Sequence, residues 1–415
     1  MQHSRQRLYP PPLSLPSDTV CCANTDTGQC SGNCKMDLLA SADGMISADG
    51  VKEYAWMPNG NSRSMQWFAY WSNRTGRSLG LYAAAHDPLS RLQLALTSGE
   101  YLQPDGSGGG ASLHWWHIPD KPLATLTPAS PWLMPYEVVL EGFESLPPYN
   151  SPWYDAAQIY RKWVTGPGVA WTRRGDIQKR LSDQKFPKYL TTTPVLIESN
   201  VGKPKEGLQR AADPNDTIAN MVKIREMLGA TELITWWSSW NVECFDCKYP
   251  QFTAREGFKE RVKEMRAGGI HVVPYTNGRL FDPSIPKFQT DNAITHMCNS
   301  SDGPYRERYH STGPAANISF FLADPADQYW QDIFIAIATE MRVAGVDGLY
   351  IDQLASYFPQ PCFGRVDGAP AAGSAWADGG RKVFSDVATA LGPNAAVFSE
   401  SNAEAYIGDL HGSMA

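Results

Sequence analysis

The hydrophobic pattern changes character part-way along the chain. Between residues 36 and 148, apolar residues come in short runs broken by turn residues: Ser64–Trp71 (SMQWFAYW), Leu79–Ala85, Leu92–Thr97, Ser112–Ile118 and Tyr136–Leu140. Short strands at this spacing predict an all-β sandwich, with Gly106–Gly110 (GSGGG) as a loop tip. Residues 1–35 are Pro- and Cys-rich and read as a disulfide-tied lead-in. In the linker over 149–187, Ala156, Ile159, Tyr160 and Trp163 recur at helical spacing and predict a helix over Trp153–Trp163.

From residue 188 to 415 the texture is different. Apolar runs at Val195–Glu198, Leu233–Trp237, Ile270–Thr276, Val346–Asp352 and Ala395–Glu400 alternate with helical patterns at Ile218–Leu228, Arg255–Ala267, Tyr329–Val343 and Gly380–Leu391. Strand and helix in alternation predict a parallel α/β domain. Gly229, Gly268-Gly269, Gly345 and Gly392-Pro393 punctuate the helix-to-strand joins, where glycine accepts the left-handed conformation. No G-x-G-x-x-G follows any strand, which argues against an open dinucleotide-binding sheet. The strands end in Glu198, Trp236/Trp237, Tyr275/Asn277, Asp352 and Glu400, and barrel enzymes carry their chemistry on that rim. The expected fold class is therefore α/β, a (β/α)8 TIM-type barrel. Five strands are visible before Ala415, so the pattern predicts a barrel truncated by three strands, with two open edges.

Composition narrows the function. The chain has 415 residues, 42% of them hydrophobic and 19% charged, enough apolar material for real cores. Lys and Arg number 36 against 43 Asp and Glu, a net charge of −7, so no nucleic-acid backbone is expected as partner. Apolar runs fall far short of the roughly 18 residues that span a bilayer, so no membrane span is expected. Eight cysteines, four of them at Cys21, Cys22, Cys30 and Cys34, suggest disulfides in an oxidising compartment. Cys244 and Cys247 form a C-x-x-C in a loop-like stretch without the setting of a redox enzyme, and Cys298 and Cys362 stand alone. A paired zinc cluster is absent. Sequons at Asn73, Asn215, Asn299 and Asn317 agree with a secreted protein, although residues 1–20 contain no apolar stretch of signal-peptide type.

The strongest chemical signal is Val346–Gln353 (VDGLYIDQ). Alternation along a strand places Asp352 on one face with Tyr350, Gly348 and Val346, while Leu349 and Ile351 face the other way. In Ala395–Glu400 the same logic puts Glu400 with Phe398 and Ala396, leaving Val397 outward. Two carboxylates thus end consecutive strands on one rim, the arrangement glycosidic-bond cleavage needs. A helix cap or an ion pair is the plainer reading of either carboxylate alone. An apolar neighbourhood, Phe398 included, is expected to raise the pKa of Glu400 while Asp352 stays ionised.

Four segments carry a resemblance: WYDAAQIYRKW (Trp153–Trp163), PYTNGRLFD (Pro274–Asp282), GLYIDQLA (Gly348–Ala355) and SESNAEAYI (Ser399–Ile407). Together they resemble a glycoside-hydrolase-like family classed as a domain of unknown function, whose members pair a β-sandwich with a barrel. That barrel is similar to those of α-retaining glycosidases such as endo-α-N-acetylgalactosaminidases and the α-amylase and α-galactosidase superfamily. The resemblance implies Asp352 as nucleophile, Glu400 as general acid/base, and retaining hydrolysis of an α-linked glycoside. It extends over most of residues 40–415, but only these four segments are specific.

Sugar recognition asks for flat aromatic faces and paired polar groups. Candidate substrate-binding residues are Glu198, Trp236, Trp237, Tyr275, Asn277, Arg279, Asp282, Tyr350, Gln353 and Asn402. One of Trp236 and Trp237 must point inward. Core packing for the tryptophans and an Arg279–Asp282 loop salt bridge are the structural alternatives. Glu404 is the reserve acid should Glu400 point away. His114 and His117 lie three apart in a β segment and so face opposite sides, and His271 reads as a satisfied core histidine. Residues 281–328 form an insertion on the rim. The partner implied is a carbohydrate, and neither an organic cofactor nor a metal is indicated. The competing readings are a non-catalytic carbohydrate-binding protein on the same scaffold and a metal-dependent sugar isomerase or lyase.

Overall fold

The computed structural model describes residues 64–74, 77–99, 111–120, 127–145, 151–169, 171–172, 177–183, 186–193, 195–199, 218–300, 303–308, 316–357, 359–362, 373–401 and 403–414. It adds the strand segments 13–14, 37–39, 46–47 and 53–57. Cys21, Cys22, Cys30, Cys34, the Gly106–Gly110 tip, the Asn215 sequon and Asn402 lie outside the described residues.

The N-terminal part holds two antiparallel sheets. One has five strands in the order Ile46–Ser47, Asp37–Leu39, Trp67–Arg74, Arg77–His86, Glu137–Ser145; the other has four, Leu13–Ser14, Ala111–His117, Gln93–Gly99 and Glu53–Met57. The alternation of WFAYW decides what each face meets. Trp67, Ala69 and Trp71 point one way, with Tyr82 and Ala84, onto Ala156 and Tyr160 of helix α1 (Pro152–Val164). Phe68 points the other way and meets Trp115 of the second sheet edge-on at 5.0 Å.

The rest of the chain builds one parallel sheet of six strands in strict sequence order: β1 Leu196–Ser199, β2 Leu233–Trp237, β3 Ile270–Asn277, β4 Gly348–Asp352, β5 Ala396–Glu400 and β6 Gly412–Met414. Helices α2 (Ile218–Met227), α3 (Phe258–Ala267), α4 (Gln328–Ala344) and α5 (Ala375–Leu391) connect most of them. An order that never reverses has no switch-point crevice of the doubly wound kind. It is the order of a barrel wall. The sixth strand adds one to the five expected from the pattern: Gly412–Met414 is three residues long and starts on glycine, too short to show a period.

The central strands β2 to β5 are apolar on both faces. Leu233, Trp237, Val272, Leu349, Ile351 and Val397 pack outward against Phe258, Val262, Phe334, Met341, Val383 and Phe384 of the helices. Ile234, Val273, Tyr275, Tyr350, Ala396 and Phe398 form a second core on the inner face. Helix α4 shows how sequence produces the outer layer. Asp327 caps it by accepting Tyr329 N–H at 2.8 Å. Trp330, Phe334, Ala338 and Met341 make its buried stripe, and Gly345 closes it at φ 81°.

Helix α5 begins at Ala375, five residues before the expected Gly380, because Gly379 and Gly380 are there for contact rather than for termination. A β-carbon on Gly379 would lie 2.4 Å from Ala326 N, and one on Gly380 would lie 2.8 Å from the Tyr406 ring. Among the described residues no helix is long and apolar enough to cross a membrane.

Candidate active site

The inner face of the sheet brings Asp352 and Glu400 together. Ile351 pairs with Ser399 across β4 and β5, so the next residues of each strand, Asp352 and Glu400, emerge side by side at the C-terminal rim. The Glu400 charge acts directly on the Asp352 carboxyl. Asp352 Oδ2 also accepts the Tyr275 hydroxyl at 2.8 Å, and its Oδ1 faces the Tyr350 hydroxyl at 3.5 Å. Glu400 Oε2 accepts Ser356 Oγ at 2.6 Å.

The electrostatics reverse one expectation. Burial, and then the Glu400 charge beside it, push the Asp352 carboxyl well above the usual range, against the pull of the Tyr275 hydroxyl. The sequence pointed to Asp352 as the acid that stays ionised. It instead lies half-buried beside the Tyr275 and Tyr350 hydroxyls and the Glu400 charge. The same burial raises the phenols of Tyr275 and Tyr350, so both remain donors.

The other candidates divide between mouth and scaffold. Trp236 is the inward tryptophan: its ring lies 5.0 Å from Tyr350 and 6.0 Å from Tyr275, and its indole N–H is buried without a protein partner. Trp237, also proposed for the mouth, is fully buried under the helices against Phe258 at 5.3 Å. Adjacent strand residues take opposite faces, so only one of the pair can serve a substrate. Glu198 is exposed at the end of β1, near enough to act on Tyr350.

Asn277 sits level with Asp352 across β3 and β4, but its Oδ1 accepts the backbone N–H groups of Arg279 and Leu280, both at 3.0 Å, and so shapes the turn. Arg279 is fully buried, paired with Glu307 (2.6 Å) and placed 4.5 Å over the Tyr357 ring. Its ion-pair partner is therefore Glu307 and not Asp282. Asp282 is buried and fixes backbone instead, accepting Lys248 N–H and Ser284 N–H, each at 2.8 Å. Gln353 is buried directly after Asp352 with φ 64°.

Glu404 is not a reserve acid. It lies buried where the three parts of the chain meet, with Tyr160 Oη donating to its carboxyl at 2.6 Å and Gln66 N–H at 3.1 Å. His271 is held between Asp347 (Nδ1 at 3.2 Å) and the Tyr189 ring, stacked at 4.0 Å, at the opposite end of the strands from the acids. His117 Nδ1 meets the Tyr136 hydroxyl at 2.7 Å.

Three groups were not visible in the sequence: Ser356, Tyr249 and Asp246. Tyr249 lies in the loop after β2, where its hydroxyl approaches the Tyr275 hydroxyl at 3.2 Å and Asp246 Oδ1 at 3.3 Å. The C-x-x-C in the same loop is a disulfide between Cys244 and Cys247. Cys298 and Cys362 do not stand alone: they form a second disulfide, which ties the rim insertion to the segment following Ser356. Trp240 supports the site from below, donating its indole N–H to Tyr275 O at 2.7 Å.

A family description, a domain of unknown function (DUF6259), matches residues 134–414. The chain belongs to the DUF6259 family. Two relatives of this DUF6259 chain carry the name "Putative glycoside hydrolase". One, from Monosiga brevicollis, is 27% identical over 369 residues, covering 84% of this chain and 29% of the relative. The other, from Bacteroides thetaiotaomicron, is 35% identical over 179 residues, 41% of this chain and 26% of the relative. The chain thus spans less than a third of either curated relative. Among solved structures, the α-N-acetylgalactosaminidase NagBb of Bifidobacterium bifidum, in complex with GalNAc, shares the fold at a TM-score of 0.62 and 15% identity. That match covers 97% of this chain and 60% of NagBb.

Proposed function

We propose that this DUF6259 chain carries the acid pair of a glycoside hydrolase that cleaves an α-linked O-glycoside by double displacement, and that it does so as a β-sandwich joined to the first part of a TIM-type barrel. The observation that carries the reading is the side-by-side emergence of Asp352 and Glu400 at the ends of neighbouring strands. Carboxyls on adjacent strand ends suit the short, retaining spacing of about 5–5.5 Å better than the roughly 6.5–9.5 Å that leaves room for a water in an inverting site.

In the first step an Asp352 carboxylate oxygen bonds to the anomeric carbon as the glycosidic C–O bond breaks, and Glu400 gives its proton to the departing oxygen. In the second, Glu400 takes a proton from water, whose oxygen bonds to the anomeric carbon and releases Asp352. Donors on both Asp352 oxygens, Tyr275 and Tyr350, suit an ionised nucleophile.

Trp236 offers a face for a sugar ring and an indole N–H for a hydroxyl. The names of the relatives and the NagBb fold favour an α-N-acetylgalactosaminide or α-galactoside as the first substrates to try. The disulfides, with the exposed Asn317 of an Asn-Ile-Ser sequon, fit a secreted glycoprotein.

The test is turnover of aryl α-N-acetylgalactosaminides and α-galactosides by wild type, Asp352→Asn and Glu400→Gln. Turnover lost in both variants supports the assignment. Turnover indifferent to both substitutions removes it, and sugar binding without any turnover in the wild type leaves a carbohydrate-binding protein.

A further inference from the structure

A chain of hydroxyls runs from the loop after β2 to the acid pair. Asp246 N–H donates to Tyr249 Oη at 3.0 Å; Tyr249 Oη lies 3.2 Å from Tyr275 Oη; and Tyr275 Oη donates to Asp352 Oδ2 at 2.8 Å. The Tyr275 hydrogen is committed to Asp352, so Tyr249 must supply the hydrogen between the two phenols. Every link then points the same way, from a backbone N–H to the reacting carboxylate, and each donor polarises the next.

The Asp246 carboxylate, 3.3 Å from Tyr249 Oη, competes for that same hydrogen. Both tyrosines are fully buried, so no solvent substitutes for either link. The loop is well tied down: Cys244–Cys247 closes it, Lys248 N–H is held by Asp282, Asp282 N–H donates to Tyr249 O at 2.8 Å, and Phe245 packs 5.2 Å from the Tyr275 ring. Asp246 and Lys248, on either side of Cys247, both have positive φ, 54° and 60°, a conformation that side chains other than glycine adopt when tertiary contacts hold them.

We propose that Tyr249 and Asp246 are positioning residues of opposite sign for the acid pair: Tyr249 strengthens the hydrogen bond that favours the Asp352 carboxylate, and Asp246 draws it back. This rests on the hydrolase reading of Asp352 and Glu400 and extends it to the loop after β2. The groups facing Asp352 are Tyr275 from β3, Tyr350 from β4, Glu400 from β5, and Asp246 and Tyr249 from the loop, with Glu198 of β1 acting on Tyr350. Tyr249→Phe removes a donor and leaves the Asp246 charge unshielded, so it disfavours the Asp352 carboxylate. Asp246→Asn removes a negative charge that disfavours it, and asparagine tolerates the left-handed backbone.

Two measurements on the full chain test this. With an aryl α-glycoside, Tyr249→Phe moves the acid limb of the kcat/KM profile to higher pH and lowers kcat about five- to tenfold below that limb, the scale of one hydrogen bond, with KM little changed. Asp246→Asn moves the limb to lower pH. Independently of any substrate, infrared difference titration, with Asp352→Asn to assign the band, reads the carboxyl directly and gives the same two opposite displacements.

A merely structural role for the loop moves KM and stability but not the two midpoints in opposite directions. Midpoints that stay put, or that move together, overturn the proposal. Failure of the hydrolase reading shows separately, as absence of turnover in the wild type, while the infrared titration still decides the relay.

Discussion

Two carboxyl groups with raised pKa values, Glu404 and Asp352, sit in contrasting surroundings. Glu404, four residues beyond Glu400, is buried, and burial pushes its pKa up to about 8. Asp352 is half-buried and is also pushed up. The difference lies in what surrounds them. Around Glu404 the donors are fixed parts of the scaffold, the Tyr160 hydroxyl from helix α1 and the Gln66 backbone from the first sheet, so its proton has nowhere to go. Asp352 faces a second carboxyl, whose charge pushes it up further. A raised carboxyl pKa therefore does not by itself mark a catalytic group; the second acid beside it is what makes Asp352 the candidate. Glu404 ties the segment leading into strand Trp67–Arg74 to the bridging helix and the parallel-sheet part, and also donates its own N–H to Ser64 O at 2.9 Å.

Substitutions sharpen this contrast in decreasing order of effect. Asp352→Asn lowers turnover of an aryl α-glycoside by at least about 10^4-fold, the scale of losing a nucleophile, with the fold intact by circular dichroism. Glu400→Gln costs about 10^2- to 10^4-fold on substrates with a poor leaving group, and much less when the leaving phenol needs no proton. A loss independent of the leaving group would count against Glu400 as the acid.

Glu404→Gln keeps turnover and changes the pH dependence of stability instead. Between its ordinary value of 4.5 and its folded value of about 8, the folded protein retains a proton that the unfolded chain releases. Stability therefore falls as pH rises through that window and levels off above it. Melting temperatures of the variant should lose this slope. Tyr160→Phe takes away the stronger donor and costs about 1–3 kcal/mol, read as a lower urea midpoint at unchanged kcat. Ser356→Ala is the mildest change: loss of one hydroxyl from Glu400 lowers kcat about three- to tenfold. If Glu404→Gln abolished turnover as completely as Asp352→Asn, the division between anchor and reaction would fail.

Much of this was legible in the sequence because strands write their facing into alternate residues. Val346–Asp352 and Ala395–Glu400 carry aliphatics toward the helices and aromatics inward, and both acids follow from that count. What was not legible depends on contacts far apart in the chain. The direction of Trp236 against Trp237 needed the register of β2. The helix expected from Gly380 starts earlier, and Gly379 and Gly380 mark a close approach to Ala326 and Tyr406, invisible until those segments meet. Cys298 and Cys362 are separated by 64 positions with nothing local to pair them. Tyr249 and Tyr275, 26 residues apart, become neighbours only when the loop folds over the rim. The Asp352–Glu400 assignment came from a one-dimensional rule, while the proton balance between them came from burial, which no such rule contains.

The Cys298–Cys362 bond closes a covalent ring of backbone that contains all of α4 and β4, and with them Asp352 and Ser356. A protease that cuts the insertion anywhere between those two cysteines opens the loop without freeing a fragment. Non-reducing electrophoresis then reports a nicked chain of unchanged mass, and the strand that holds Asp352 stays tethered at both ends of the cut.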